Sequence, residues 1–185
     1  MPRIKESVLS DNCIATHAAK MGRLPLLSAL CIISGFPVYT QGCDYPFEAI
    51  GTQCLLVDPL EHGSFYDMRL KCKTMGAKLV KIPHASQLAE IIDYIKENGL
   101  DHNHYWIDAT DDNHESHFTW SDGSNVPAGA PFWRYDCDGA FTLRPRIDGK
   151  SNCAILDSEF YFLLSDVSCL GDVGEIKYSP ICEQA

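Results

Sequence analysis

The sequence has 185 residues, 45% of them apolar, and a formal net charge of −10 at pH 7. This length and apolar content suit one domain with a single core. The acidic charge disfavours a role on nucleic acid or on anionic membrane surfaces, because both would repel the protein.

The N-terminal region predicts a polar upstream segment followed by a secretory signal peptide. Residues 1–20 are polar, and Met21 starts a segment with a basic residue, an apolar run at 24–36 and small residues before Cys43. The run is shorter than the ~20 residues of a spanning helix, which favours a cleaved signal peptide at 21–42 and a secreted mature chain without a membrane span. Two alternatives stay open, a short signal anchor and Met21 as the true start. Nine cysteines without a C-x-x-C pair also favour an oxidising compartment.

A small hairpin and two helices are predicted next. Residues 47–57 alternate around a Gly-Thr turn, as in a hairpin. The first helix begins at Ser64, whose side chain can cap the free amides, and ends at Gly76. The second spans residues 85–98, where apolar residues recur at i, i+3, i+4 and i+7.

Beyond the second helix the pattern predicts strands. They are expected at residues 105–108, 118–120, 152–156, 160–164 and 178–182. Residues 121–150 form a long irregular stretch, and loops of that length in compact domains are usually functional or disordered. Two helices followed by a mainly antiparallel sheet indicate an α+β fold.

Several segments together carry a family resemblance. They are the hairpin from Cys43 to Cys54, the helix with Cys72, Tyr105-Trp106-Ile107, Phe118-Thr119-Trp120-Ser121-Asp122-Gly123, Asn152-Cys153 and Ile181-Cys182-Glu183. With these, residues 43–185 resemble a C-type lectin domain, and in detail the secreted lectins of arthropods. The resemblance implies a disulfide-stapled double-loop α+β fold, with two helices, small antiparallel sheets and chain ends that meet.

The resemblance also implies a disulfide pattern. The expected pairs are Cys43 with Cys54, Cys72 with Cys182, and Cys153 with Cys169. The second pair closes most of the domain into one ring, worth about 4–5 kcal/mol in the chain-entropy model. Cleavage before Cys43 would remove Cys13 and Cys31, so seven cysteines remain and three pairs leave Cys137 over. An unpaired Cys137 indicates either a disulfide-linked dimer or a buried, inert thiol.

In the family resembled, calcium and sugar share one set of oxygen ligands. These come from a Glu-Pro-Asn or Gln-Pro-Asp triplet, an acid two residues before a cysteine, and a Trp-Asn-Asp triplet. Here the corresponding places hold Arg144-Pro145-Arg146, Ser151 with Asn152 beside it, and Leu164-Ser165-Asp166. Guanidiniums only donate and are always charged, so they repel a cation. We therefore expect the usual calcium site to be weak or absent, with Asp166 as its strong anionic ligand, and Pro145 to be cis as in the family.

Other metal sites and catalysis are weaker alternatives. Two acidic groups could hold calcium or be solvated surface: Asp108, Asp111, Asp112 and Glu115, and Asp136, Asp138 and Asp148. Zinc at His102, His104, His114 and His117 is less favoured, because scattered histidines are common. No nucleophile or phosphate-binding motif is present, so no enzymatic activity is expected.

Two functions follow from these features. The first is a secreted lectin for glycans or glycoproteins, such as those of microbial surfaces in innate recognition. Its altered site would consist of Arg144, Pro145, Arg146, Ser151, Asn152, Ser165 and Asp166, with the arginines binding anionic sugar groups. The second is a lectin-like domain that binds a protein through Phe132, Trp133, Tyr135 and Phe141, although these aromatics suit a loop core equally.

Overall fold

The structure, a computed structural model, describes residues 42–112, 114–136, 142–171 and 176–185. The predicted upstream segment and the predicted signal peptide, apart from Gly42, lie outside these residues, as do Asp138, Phe141 and Cys137, which was predicted to be unpaired. Within the described part, no helix has the length and apolar character that a membrane crossing requires.

The described chain contains two α-helices and ten strands. In order they are β1 (Glu48–Ile50), β2 (Gln53–Val57), α1 (Phe65–Thr74), β3 (Ala77–Leu79), α2 (Ala85–Glu97), β4 (His104–Thr110), β5 (Thr119–Trp120), β6 (Tyr135–Asp136), β7 (Thr142–Leu143), β8 (Cys153–Asp157), β9 (Leu163–Val167) and β10 (Tyr178–Gln184). A short 3-10 helix, Ser158–Phe160, separates β8 from β9. The α+β class is therefore confirmed.

Both predicted helices form where local signals place them. The hydroxyl of Ser64 accepts a hydrogen bond from the Asp67 amide at 3.2 Å, and the Asp67 carboxylate accepts one from the Ser64 amide at 3.3 Å. This reciprocal pair satisfies two free amides at the start of α1. Helix α2 buries its apolar stripe, including Leu88, Ile91 and Ile95, in the main core.

The sheet brings the two ends of the described domain together. Its strand order is β1-β2-β10-β4-β8-β9, with β3 paired to β10 and β5 paired to β4. Strand β10 runs parallel to β4 and antiparallel to β2. The side chains of Asp44 and Gln184 bond at 2.7 Å next to this pairing, as expected for a fold whose ends meet.

One strand prediction was wrong in position. A strand was expected at 160–164, but β9 starts at Leu163 and continues to Val167. The 3-10 helix and the positive φ angles of Tyr161 and Phe162 redirect the chain before it can pair with β8. Strands β3, β6 and β7 were not predicted, because two or three residues carry too little alternation to be recognised.

Three disulfides tie these elements together, and they are the pairs that the resemblance implies. The structure joins Cys43 with Cys54, Cys72 with Cys182, and Cys153 with Cys169. The second links α1 to β10, and Cys72 and Cys182 are both fully buried. The first half of the chain is thus fastened to its last strand.

Candidate functional site

The described part of the long loop, residues 121–136 and 142–150, contacts strand β9. The amide of Leu164 donates to the carbonyl of Phe132 at 2.7 Å, and the amide of Arg134 donates to the carbonyl of Leu164 at 3.1 Å. Trp133 between them is buried in the core. The described part of the loop is therefore packed structure, and it brings residues 144–146 next to the end of β9.

A fully buried carboxylate, that of Asp166, lies at the centre of this contact. Its Oδ1 accepts a hydrogen bond from Nη1 of Arg144 at 2.8 Å. Its Oδ2 accepts from the backbone N–H and from Nε of Arg146, each at 3.2 Å. The peptide bond between Arg144 and Pro145 is cis, as predicted. Protein donors thus occupy both carboxylate oxygens.

The two arginines are part of a larger arginine–aspartate cluster. It comprises Arg134, Arg144, Arg146, Asp136, Asp148, Asp157 and Asp166. Nε of Arg144 lies 2.9 Å from Oδ2 of Asp136, and Nη2 of Arg146 donates to Oγ of Ser151 at 2.7 Å. Three guanidiniums and four carboxylates compensate most of one another's charge, which is the condition for burying Arg144, Asp157 and Asp166; Arg146 and Asp148 remain partly exposed.

The pKa shifts in the cluster reflect this mutual compensation. Burial alone would lower the pKa of Arg144, but its bonds with Asp166 and Asp136 raise the pKa above its ordinary value. Burial and the neighbouring charge of Arg144 lower the pKa of Arg134. Burial acts to raise the pKa of Asp148, yet hydrogen bonds from the Lys150 amide and from Ser151 bring it below the ordinary range.

A pocket of about 340 Å³ adjoins the cluster, and we call it the long-loop pocket. The lining residues that matter below are Ser116, His117, Phe118, Asn125, Trp133 and Pro145. The rings of Phe118 and Trp133 lie 5.0 Å apart and form a buried apolar floor. At the exposed rim, Nε2 of His117 lies 3.1 Å from Oδ1 of Asn125. The hydroxyl of Ser116 donates to the carbonyl of Arg146 at 3.0 Å and connects pocket and cluster.

The sequence matches one known protein family. Residues 61–175, more than half of the chain, match the family described as Lectin C-type domain. The chain belongs to the C-type lectin domain family. A comparison with curated proteins gave no match.

Solved C-type lectin-like structures share the fold at low sequence identity. The carbohydrate-recognition domain of mouse scavenger receptor C-type lectin has a TM-score of 0.56 and 23% identity, covering 76% of this chain and 94% of that one. A Ca²⁺-dependent type II antifreeze protein has a TM-score of 0.59 and 17% identity, with coverage of 77% and 100%. A calcium-independent type II antifreeze protein has a TM-score of 0.58 and 16% identity, with coverage of 78% and 95%.

C-type lectin domains often bind calcium. At the place of the usual ligands, the donor chemistry of Arg144 and Arg146 does not fit the ion. Calcium is held by six to eight oxygen atoms. Arg144 and Arg146 supply only donors, and both oxygens of Asp166 already accept hydrogen bonds from them. Any cation at this place would have to displace two guanidiniums from a buried carboxylate.

The two serines expected at the altered site are also bonded internally. The hydroxyl of Ser165, fully buried, donates to Oδ2 of Asp157 at 2.7 Å. Ser151 is buried, and its hydroxyl donates to Oδ2 of Asp148 at 2.8 Å. The side-chain oxygen of Asn152 is buried with no partner in the described part of the chain. Ser151 and Ser165 therefore shape the cluster and do not face the solvent as a ligand-binding surface.

Among the described residues, neither of the two acidic groups brings three possible metal ligands together. Glu115 accepts from the amides of Asp148 and Gly149 through one oxygen, at 2.9 and 2.8 Å. Asp111 is buried; its Oδ2 accepts from the Ser116 amide at 2.8 Å, and its Oδ1 has no partner among the described residues. Burial raises the pKa of Asp111.

The four histidines do not form a site together. In the described part of the chain, the one group of three side chains able to hold a metal combines His104 with Asp157 and Glu159. Nδ1 of His104 already accepts a hydrogen bond from the Ser158 amide at 3.2 Å. His117 instead lies at the rim of the long-loop pocket.

Several residues of the site were missed at the sequence level. Arg134, Asp157 and Asn125 were not predicted, whereas Asp136 and His117 were predicted only as possible metal ligands. In the structure Arg134, Asp136 and Asp157 complete the charge compensation, and His117 and Asn125 form the pocket rim. The acidic residues around Arg144-Pro145-Arg146 were the sequence signal for this charge compensation, because buried guanidiniums require carboxylate partners. The pocket rim carries no sequence signal, since it depends on how residues 116–126 fold back on the loop.

Proposed function

We propose that this C-type lectin-like protein is a secreted recognition domain whose ligand binding is independent of calcium. The observation that supports this most is the pairing of Asp166 with Arg144 and Arg146. In this proposal the guanidiniums supply the positive charge that calcium supplies in other members of the family. The protein binds ligand and does not catalyse a reaction.

We place the ligand in the long-loop pocket and propose a carbohydrate. A sugar ring combines an apolar face of C–H groups with a rim of hydroxyls. The pocket offers an apolar floor from Phe118 and Trp133 and a polar rim from His117, Asn125 and Ser116, which is the usual composition of small-ligand sites. The volume of about 340 Å³ also falls in the range of ~300–1,000 Å³ for such sites.

The proposed role of the arginines changes with this placement. The side chain of Arg144 is 7% exposed and committed to Asp136 and Asp166, so it cannot bind an anionic sugar group. The side chain of Arg146 is 41% exposed and lies beside Pro145 at the pocket edge. Arg146 is therefore the one residue of the triplet that we retain as a contact for a carboxylate or sulfate on the sugar.

A protein ligand is the second candidate, and exposed apolar residues of the long loop favour it. Phe132 and Trp133 are buried and do not project from the loop, so they cannot insert into a partner as interface anchors, although Trp133 lines the floor of the long-loop pocket. Tyr135, Leu143 and Ile147 are exposed, Ile147 by 84%. These three side chains would be the anchors of such an interface.

The cellular setting of the proposal rests on the sequence and on the disulfides. Three disulfides suit an extracellular protein, and the proposed signal peptide at 21–42 would export it. Microbial surface glycans are the proposed targets in innate recognition. A dimer linked through Cys137 would increase the avidity of each contact, and non-reducing electrophoresis of a Cys137→Ser variant tests it.

A glycan array probed in calcium and in chelator tests the proposed function. We expect the same glycans to bind in both buffers, and His117→Ala to reduce binding about tenfold because one rim contact is lost. His102→Ala, at an exposed site away from the pocket, is the matched control. Binding abolished by chelator would refute calcium independence. A complete lack of glycan binding would favour the protein ligand.

A further inference from the structure

A second concave surface lies between helix α1 and strand β3, and we call it the α1 groove. It has a volume of about 420 Å³, and its lining includes Tyr66, Arg69, Leu70, Lys73, Leu79 and Asp108. It shares no lining residue with the long-loop pocket. Ligand recognition in the long-loop pocket therefore does not account for this groove.

Two cations of the α1 groove make no ion pair and no side-chain hydrogen bond in the described part of the chain. They are Arg69 and Lys73, which are exposed and lie one helical turn apart. Neighbouring Lys71 bonds to Glu61 at 2.5 Å. In a protein with a net charge of −10, two adjacent unpaired cations facing one groove form a local field of opposite sign.

The remaining charges around the groove offset that field only in part, because Arg69 acts electrostatically on the buried Asp108. Asp108 is 5% exposed, and its Oδ2 accepts hydrogen bonds from the amide and the hydroxyl of Ser121. Lys78, also in the lining, lies 3.6 Å from Glu183. The exposed face of α1 thus presents positive charge, while the acid lies beneath it.

Exposed apolar side chains lie beside the two cations. Tyr66 is 53% exposed and Leu70 is 61% exposed, and their spacing of four residues places them on one face of α1. Leu79 closes the groove from β3 and is fully buried. A partner that fills the groove would cover the two exposed side chains and pair the two cations at once.

We propose that the α1 groove docks an acidic peptide segment of another protein, with carboxylates on Arg69 and Lys73 and an apolar side chain between Tyr66 and Leu70. Charge complementarity selects the acidic side chains, and bidentate bonding to a carboxylate suits a guanidinium. The exposed Tyr66 and Leu70 favour a peptide over a sulfated sugar, because a sulfated sugar would cover apolar surface poorly. This surface is independent of the proposed glycan site.

The test uses the full chain as secreted and an array of heptapeptides rich in Asp and Glu around one Leu, Phe or Tyr. A matched array carries Asn and Gln at the acidic positions. The strongest binder is then titrated by fluorescence anisotropy. We expect binding to weaken about tenfold or more in Arg69→Gln/Lys73→Gln, and to remain within about twofold in Lys96→Gln/Lys177→Gln, which removes two exposed cations elsewhere.

A second pair of variants tests the apolar contact. Leu70→Ala should weaken the same peptide several-fold, while Leu170→Ala, at a residue that is 77% exposed, should leave it unchanged. Equal melting temperatures of all variants show that folding is intact. The proposal is overturned if no acidic peptide binds, if the amide array binds equally, if both charge variants lose affinity alike, or if only a sulfated oligosaccharide occupies the groove.

Discussion

Nη1 of Arg144 lies 2.8 Å from Oδ1 of Asp166, and both side chains are buried. The same aspartate is the acid that the family triplet would offer to calcium. A covalently attached cation differs from a bound ion because it cannot be removed by a chelator or diluted away. The loop conformation and the ligand pocket beside it are therefore expected to be independent of the calcium concentration.

The first prediction concerns the coupling of Arg144 and Asp166. Arg144→Met should cost about 3–5 kcal/mol of unfolding free energy, because it leaves a buried carboxylate short of a partner. In Arg144→Met/Asp166→Asn the loss should be clearly smaller than the sum of the two single losses. Urea unfolding of the four proteins measures the coupling, and strictly additive losses would show that the pair has no energetic link.

The second prediction concerns a variant that restores the calcium ligands of the family. Arg144→Glu/Arg146→Asn/Ser151→Glu removes both guanidiniums and adds carboxylate and amide oxygens around Asp166. Millimolar calcium should raise the melting temperature of this variant, since an ion at one hundred times its dissociation constant adds about 2.7 kcal/mol. The wild-type protein should show no such shift.

The control for this restoration is Arg144→Gln/Arg146→Gln/Ser151→Gln. It removes the same guanidiniums without adding carboxylates, so calcium should leave its melting temperature unchanged. A calcium response in the control or in the wild-type protein would locate the ion elsewhere, and the interpretation of the arginines as its replacement would fail.

Much of the fold was predictable because its signals are local. The Ser64 cap, the apolar period of α2 and the order of the cysteines each depend on residues close together in sequence or on a recognisable family pattern. The register of β9 was not predictable in this way. Its start at Leu163 depends on the 3-10 helix and on the left-handed backbone of Tyr161 and Phe162.

Some residues of the site, such as Arg144, Arg146 and Asp166, were predictable from the sequence, but their roles were not. The replacement of family ligands by Arg144 and Arg146 is visible in the sequence, and it predicts a poor calcium site. Whether those arginines face a ligand or an internal acid depends on long-range packing of the loop. The structure shows that Arg144 contacts two internal acids, Asp136 from β6 and Asp166 from β9.

The third prediction concerns Asp111 and pH. Burial raises the pKa of Asp111 above its ordinary value of 3.8, although the Ser116 amide opposes this. The folded state therefore favours the protonated side chain. The stability that this gives is fully present below the ordinary pKa of 3.8 and is lost as the pH rises through the raised pKa of the folded state. Asp111→Asn cannot ionise, so it should gain stability relative to the wild type between about pH 3.5 and pH 7.

Urea unfolding at a series of pH values in chelator measures this difference. Asp93→Asn, at an exposed position of α2, is the control and should give a difference that changes little with pH. A stability difference for Asp111→Asn that is constant or falls with rising pH would contradict the assignment of a raised pKa.

The fourth prediction ranks the disulfides by the ring that each closes. Cys72 and Cys182 are 110 residues apart, so Cys72→Ala/Cys182→Ala should cost about 4–5 kcal/mol from unfolded-chain entropy. Cys43→Ala/Cys54→Ala opens a ring of 11 residues and should cost about 3 kcal/mol. Denaturant unfolding of both variants tests the order, because the longer ring must show the larger loss. Equal losses, or a larger loss for the hairpin pair, would mean that local packing and not ring closure dominates their contribution.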